Sequence, residues 1–169
     1  MSQMAVFLVI EDMLKHGEIW EAIITFLAWD AYLRESDWES VRLEDIFVVE
    51  DPAGKEAPRV STRLGSAHRG QSIKIGANHV VVLDHPLLRR IIALTRQNGD
   101  PKDPLVSFKQ AHYRMIWYKA LGRLGLELLP PHTLRHSRPA QQTADNSATL
   151  EEVRRKGRWS QMKSVQRYT

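Results

Sequence analysis

Near the C-terminal end of this 169-residue sequence, one short basic stretch collects His132, Arg135, Trp159 and Tyr168. Each side chain brings a different capacity. An imidazole exchanges a proton near neutral pH. A guanidinium offers paired, permanently charged donors whose spacing matches two oxygens of a phosphate. An indole N–H only donates. A phenol, with an ordinary pKa of about 10, becomes an oxygen nucleophile once it loses its proton. Attack of such an oxygen on a phosphodiester piles negative charge onto the non-bridging oxygens, and fixed cationic donors stabilise that charge most. The joint chemistry of the four is therefore cleavage of a phosphodiester by a side-chain nucleophile.

The rest of the chain limits what can carry this chemistry. At 169 residues and 43% hydrophobic content, it suits one globular domain. It has no cysteine, which excludes disulfides and thiolate metal sites and fits a reducing compartment. The longest apolar run, Met4–Ile10, is too short to span a bilayer, and Glu11 and Asp12 follow it with no basic leader before it. The expectation is an intracellular, soluble protein with no membrane association. Net charge is +4, unevenly spread. Residues 1–51 are acidic, whereas the final segment carries Arg135, Arg138, Arg154, Arg155, Lys156, Arg158, Lys163 and Arg167 against Asp145, Glu151 and Glu152. That asymmetry points to a polyanion at the C-terminal side.

The elements that must position these groups follow from periodicity. Met4–Leu14 and Glu18–Leu33 read as helices separated by His16-Gly17. Arg34-Glu35-Ser36-Asp37 interrupts the apolar pattern, and Trp38, Val41 and Leu43 resume a short helix ending near Leu43. Ile46–Val49 is a β-type run closed by the turn Asp51-Pro52-Ala53-Gly54, and 55–70 reads as a surface loop or irregular strand. Ser72–Ile75 and His79–Leu83 read as two strands joined by a tight turn at Gly76-Ala77-Asn78, with Lys74 at the hairpin's mouth. Pro86 opens a helix to about Gln97. Ser107-Phe108-Lys109-Gln110 matches a capping box for a helix to about Leu121, and Thr149-Leu150-Glu151-Glu152 matches another. A helix begins at His132 or Thr133 and is expected to be short or kinked at Pro139. Lys156-Gly157 ends the following helix, and a last short helix turns Val165 inward and brings Tyr168 near its end. The expected class is mainly α with a small antiparallel β-sheet, an α+β domain.

His132-Thr-Leu-Arg135-His136, followed by Gly157-Arg158-Trp159 and then Tyr168, resembles the catalytic domain of the tyrosine recombinase (phage integrase-like) family. Tyr32-Leu33-Arg34-Glu35-Ser36-Asp37, running on to Ile46, is similar to that family's first arginine box, and Lys74-Ile75-Gly76 to its hairpin lysine. The likeness runs from about residue 18 to 168, with its elements in the family's order. It implies the DNA breaking-rejoining fold and a catalytic set of Arg34, Lys74, His132, Arg135, Trp159 and Tyr168. Arg34 and Arg135 would clamp the phosphate, and Trp159 would donate to one of its oxygens or else only pack. Tyr168 would attack, His132 accept its proton and Lys74 protonate the departing 5′ oxygen. Asp37 and His136 would orient these groups, and Arg69, Arg138, Arg158 and Lys163 would face DNA. The implied partner is double-stranded DNA, with the protein acting as a homo-oligomer on it in the nucleoid or nucleus. A 3′-phosphotyrosyl link keeps the bond energy, so no cofactor, ATP or metal is expected.

Two readings compete with recombination. A topoisomerase IB-like nicking-closing enzyme would share the chemistry and relax supercoils as a monomer, and a DNA-binding module of the same fold would lack the chemistry. The i,i+4 pair His132 and His136 has zinc-ligand spacing, but without the acidic partner of an HExxH pattern and with Arg135 between them, no metal site is expected. The sequence also departs from the family. Almost nothing precedes the first catalytic helix where a core-binding domain is usual, and no helix follows the nucleophile. Arg138-Pro139 stands where small residues are usual. The expectation is thus a single catalytic domain over 1–169, as a fragment, a natural short form or a decayed copy.

Overall fold

A computed structural model describes residues 1–71 and 79–166 of the chain. The expected strand 72–75 with Lys74, and the terminal Tyr168, lie outside the described residues. The chain divides into two compact units, residues 1–35 with 108–169, and residues 36–107.

The first unit is helical. Helices α1 (Gln3–Lys15) and α2 (Ile19–Asp30) form an antiparallel pair broken at Gly17, whose φ of 75° turns the chain. Ser2 caps α1 by accepting from the Ala5 N–H at 3.2 Å. Helix α2 is buried along nearly its whole length, and Phe7, Phe26 and Trp29 meet edge to face and tilted beside it. In the second unit, α4 (Pro86–Asn98) covers a three-stranded antiparallel sheet in the order β1 (Ile46–Val49), β2 (Arg59–Leu64), β3 (His79–Val82). Ile46, Val60, Leu64 and Val81 face the core with Leu88 and Ile92 of α4, while Phe47, Val49, Val80 and Val82 lie on the exposed face. Helix α3 (Glu35–Glu39) spans the point where the chain passes from one unit to the other.

The first unit resumes with α5 (Gln110–Arg123), then a 3-10 turn Pro131–Thr133 leading into α6 (Leu134–Ala144), then α7 (Leu150–Gly157). Among the described residues no helix is long and apolar enough to cross a membrane.

The mainly α class with a small antiparallel sheet is as expected, but several local expectations are corrected. The helix after Arg34 is Glu35–Glu39, not a helix resuming at Trp38, because the polar residues form its outer turn while Asp37 and Trp38 are buried. Of the two readings of 55–70, surface loop or irregular strand, the strand holds for part of it: Arg59–Leu64 is the regular strand β2, whose alternating Val60, Thr62 and Leu64 point inward. Strand β3 pairs with β2, in the register Leu64↔His79 to Ser61↔Val82. Ser107 caps nothing: α5 starts after an extended Lys109 without a side-chain cap bond. Helix α6 passes through Pro139, where the ladder loses one bond, and continues to 11 residues. The Thr149 capping box is present in both halves, and Val165 is fully buried.

Candidate active site

The site is built on two helix ends. Helix α2 stops in a Schellman motif: the Leu33 N–H returns to the Ala28 carbonyl at 2.9 Å, and Tyr32 takes the left-handed position at φ 53°. Glycine is usual there, since a side chain costs about 1–2 kcal/mol in that conformation. Tyr32 is held by its surroundings instead. Its ring is fully buried against Val153 and Val165, with Ala148, Leu150 and Trp159 around them, and its hydroxyl donates to Gln142 Oε1. The Lys156 ammonium stands 5.0 Å over the same ring. This turn delivers Arg34, partly buried, two residues on.

Helix α7 ends in the same way. The Trp159 N–H bonds to the Arg154 carbonyl and the Arg158 N–H to the Arg155 carbonyl, both at 3.1 Å, with Arg158 left-handed at φ 56°. A Cβ on Gly157 would run into the six-membered ring of Trp159, so glycine is required there for close approach.

Between the two ends sits Arg135, only 1% exposed. Its Nη1 donates to the Tyr32 carbonyl and its Nη2 to the Gly157 carbonyl. Both acceptors belong to helix C-termini, where carbonyls lack helical partners and the dipole favours a cation. The guanidinium carbon also lies 4.7 Å over the Trp159 ring. Trp159 stacks at 29° on the His136 ring with centroids 6.5 Å apart, and His136 Nε2 is 2.9 Å from His132 Nε2. Arg158 adds a long contact from Nη2 to the Tyr32 carbonyl at 3.5 Å.

Four of the six expected catalytic residues are thus described, and all four, Arg34, His132, Arg135 and Trp159, belong to one compact unit. Arg135, Trp159, His136 and His132 form one unbroken series of contacts.

The expected DNA-facing residues separate into two groups. Lys163 is exposed and Arg158 partly so. Arg138 instead ion-pairs with Asp30, which is 0% exposed, and lies 4.4 Å over the Trp29 ring. Arg69 ion-pairs with Glu44 and with Asp45, itself bonded by Arg63 at 2.8 Å. Burial works to raise the Asp45 carboxyl, but the bonds from Arg69, the Arg42 N–H and Arg63 outweigh it and hold the group below its usual range. Asp37 is fully buried. On α7, Arg154 and Arg155 both bond Glu151 and pull its carboxyl down to about 2, so one carboxylate offsets half the charge of these two arginines in the basic C-terminal run.

Sequence reasoning missed the Tyr32 carbonyl, Lys156 and Gln142 as parts of this cluster, and Asp30 as the partner of Arg138. One signal was legible: a charged Asp30 at the apolar end of α2 implies a buried cationic partner.

Several solved structures resemble this chain, two recombinases among them. Over 100% of its length it superposes on 59% of the XerA recombinase chain with TM-score 0.69 and 14% identity. It likewise superposes on 50% of the chain of the XerH site-specific recombinase bound to difH substrate, a pre-cleavage complex, with TM-score 0.73 and 11% identity. The chain therefore spans 59% and 50% of the length of those two proteins. No family model matches the sequence. No curated protein matches it either. At this identity the likeness is one of fold, and the fold is that of the tyrosine recombinase catalytic domain.

Proposed function

We propose that this chain is the catalytic domain of a tyrosine-type DNA strand transferase, a site-specific recombinase that cuts and rejoins double-stranded DNA through a 3′-phosphotyrosyl intermediate. The Tyr168 oxygen attacks the phosphorus, its proton passes to His132, and the P–O bond to the 5′ oxygen breaks as Lys74 protonates that oxygen. Religation reverses these steps with a new 5′ hydroxyl, so bond energy is conserved and no nucleotide or metal enters. Arg34, Arg135 and the Trp159 indole N–H stabilise the negative charge on the phosphate. Asp37 orients Arg34. Arg158 and Lys163 meet the DNA backbone, whereas Arg69 and Arg138, ion-paired within the protein, act by holding their own elements in place. The protein assembles as a homo-oligomer on DNA inside the cell.

The observation that carries this reading is the series of contacts from His132 through His136 and Trp159 to Arg135, with Arg135 gripping the turn that delivers Arg34. The decisive test is a nicked suicide substrate that traps covalent protein–DNA adducts. Adducts from the wild type and none from Tyr168→Phe support the proposal. A requirement for added divalent metal would contradict it.

A second reading, a DNA-binding module of the same fold without strand transfer, is favoured by one observation. Both Nη atoms of Arg135 are engaged by main-chain carbonyls, and the side chain is 1% exposed. Salt-sensitive binding of duplex DNA with no adduct from the wild type would establish it.

A further inference from the structure

We infer that His136 is a positioning residue that fixes the tautomer of His132, making Nδ1 of His132 the nitrogen that takes the nucleophile's proton; this rests on the strand-transferase reading. The observation is the 2.9 Å approach of the two Nε2 atoms, with the rings T-shaped at 76°. Two imidazole nitrogens at hydrogen-bond distance must share one proton, because two lone pairs or two N–H groups facing each other repel. One ring therefore donates from Nε2 and the other accepts there.

The proposed chemistry selects the direction, and the surroundings decide which ring takes up a further proton. His136 is stacked on the Trp159 ring at 6.5 Å, and the Arg135 guanidinium lies over the same ring at 4.7 Å. A neutral His136 suits a place beside that permanent cation. With Nε2 as acceptor and the hydrogen on Nδ1, His136 holds His132 as the Nε2–H tautomer, leaving the His132 lone pair on Nδ1. When His132 Nδ1 gains the proton leaving Tyr168, His132 becomes an imidazolium whose Nε2–H still donates to neutral His136. No proton crosses the His132–His136 bond, and no co-reactant is needed. His136 thus does for His132 what a buried carboxylate does for the histidine of a hydrolytic triad: it fixes the tautomer and stabilises the cation that forms.

Two measurements test this on the full chain. Nitrogen-15 NMR of the free protein, at a pH where both rings are neutral, is expected to show His132 as the Nε2–H tautomer and His136 as the Nδ1–H tautomer. The opposite assignment, or the same tautomer in both rings, overturns the inference. In the trapping assay, His136→Leu is expected to lower the rate of adduct formation about 10-fold to 100-fold, within the range proton transfer contributes. His136→Gln, whose side-chain oxygen can accept from His132 Nε2–H, should restore most of it. His136→Leu reacting at the wild-type rate overturns the inference. If the wild type forms no adduct, the strand-transferase reading fails, while the NMR assignment still decides how the histidine pair is protonated.

Discussion

Arg135 donates to the main-chain carbonyl of Tyr32, 103 residues earlier in the chain, at the left-handed turn that ends α2. Its other terminal nitrogen donates to the Gly157 carbonyl at the end of α7, so one buried guanidinium joins two helix ends. Arg135→Lys keeps the charge but not the fork that reaches two acceptors. A hydrogen bond to a charged group contributes about 1.5–3 kcal/mol, so losing one should lower stability by about 2 kcal/mol in urea unfolding. Adduct formation should fall at least about 100-fold, the effect of removing one transition-state donor. The two readouts separate the holding of the helix ends from the chemistry.

Tyr32 sets two effects against each other. Tyr32→Gly relieves about 1–2 kcal/mol of left-handed strain but removes a fully buried ring packed on Val153 and Val165. Deleting a buried aromatic costs about 3–5 kcal/mol, so packing wins and a net loss of about 1–4 kcal/mol is expected. Tyr32→Phe removes only the hydroxyl bonded to Gln142, with an expected loss of about 1 kcal/mol. Thermal and urea denaturation of the two variants would check this order.

Asp30 and Arg138 form an ion pair in which the carboxylate is 0% exposed. Breaking such a pair by removing one partner strands a buried charge at a cost of about 3–5 kcal/mol. Asp30→Ala should show a loss of that order. Combining Arg138→Met with Asp30→Leu should recover much of it, because an apolar replacement of both partners leaves no charge uncompensated. A double-mutant cycle by urea denaturation measures the coupling.

Acid should act on the second unit through Asp45. Its pKa is lower folded than unfolded, so it binds fewer protons in the native state. Its contribution is therefore complete above the unfolded carboxylate value of about 3.9 and fades as pH falls from there through the lower folded value. The stability gap between the wild type and Asp45→Asn should be largest at neutral pH and shrink steadily in this acid window. Urea unfolding followed at neutral pH and at several acid pH values measures that gap.

How much of this was legible in the sequence follows from the range of each interaction. Helices α1, α2, α4 and α7 and strand β1 were readable because a helical or strand period and a cap are written within one short window: Thr149 and Glu152 close both halves of their box three residues apart. The class, mainly α with a small antiparallel sheet, followed from those elements. Ser107 failed as a cap for an equally local reason, since the chain stays extended through Lys109. Strand β2 was only half legible, because a short polar strand becomes definite through pairing on both sides.

The candidate residues His132, Arg135 and Trp159 were named by type and spacing, but their partners were not. The sequence by itself determined which groups exist and which helices, or turns at helix ends, carry them. Only the tertiary structure decided that Arg135 turns inward to two carbonyls, that Tyr32 occupies a position usually left to glycine, and that Arg138 closes on Asp30 across 108 residues. The physical reason is that a buried charge must be compensated by whatever the fold brings beside it. That neighbour is set by packing between distant segments, which no local pattern records.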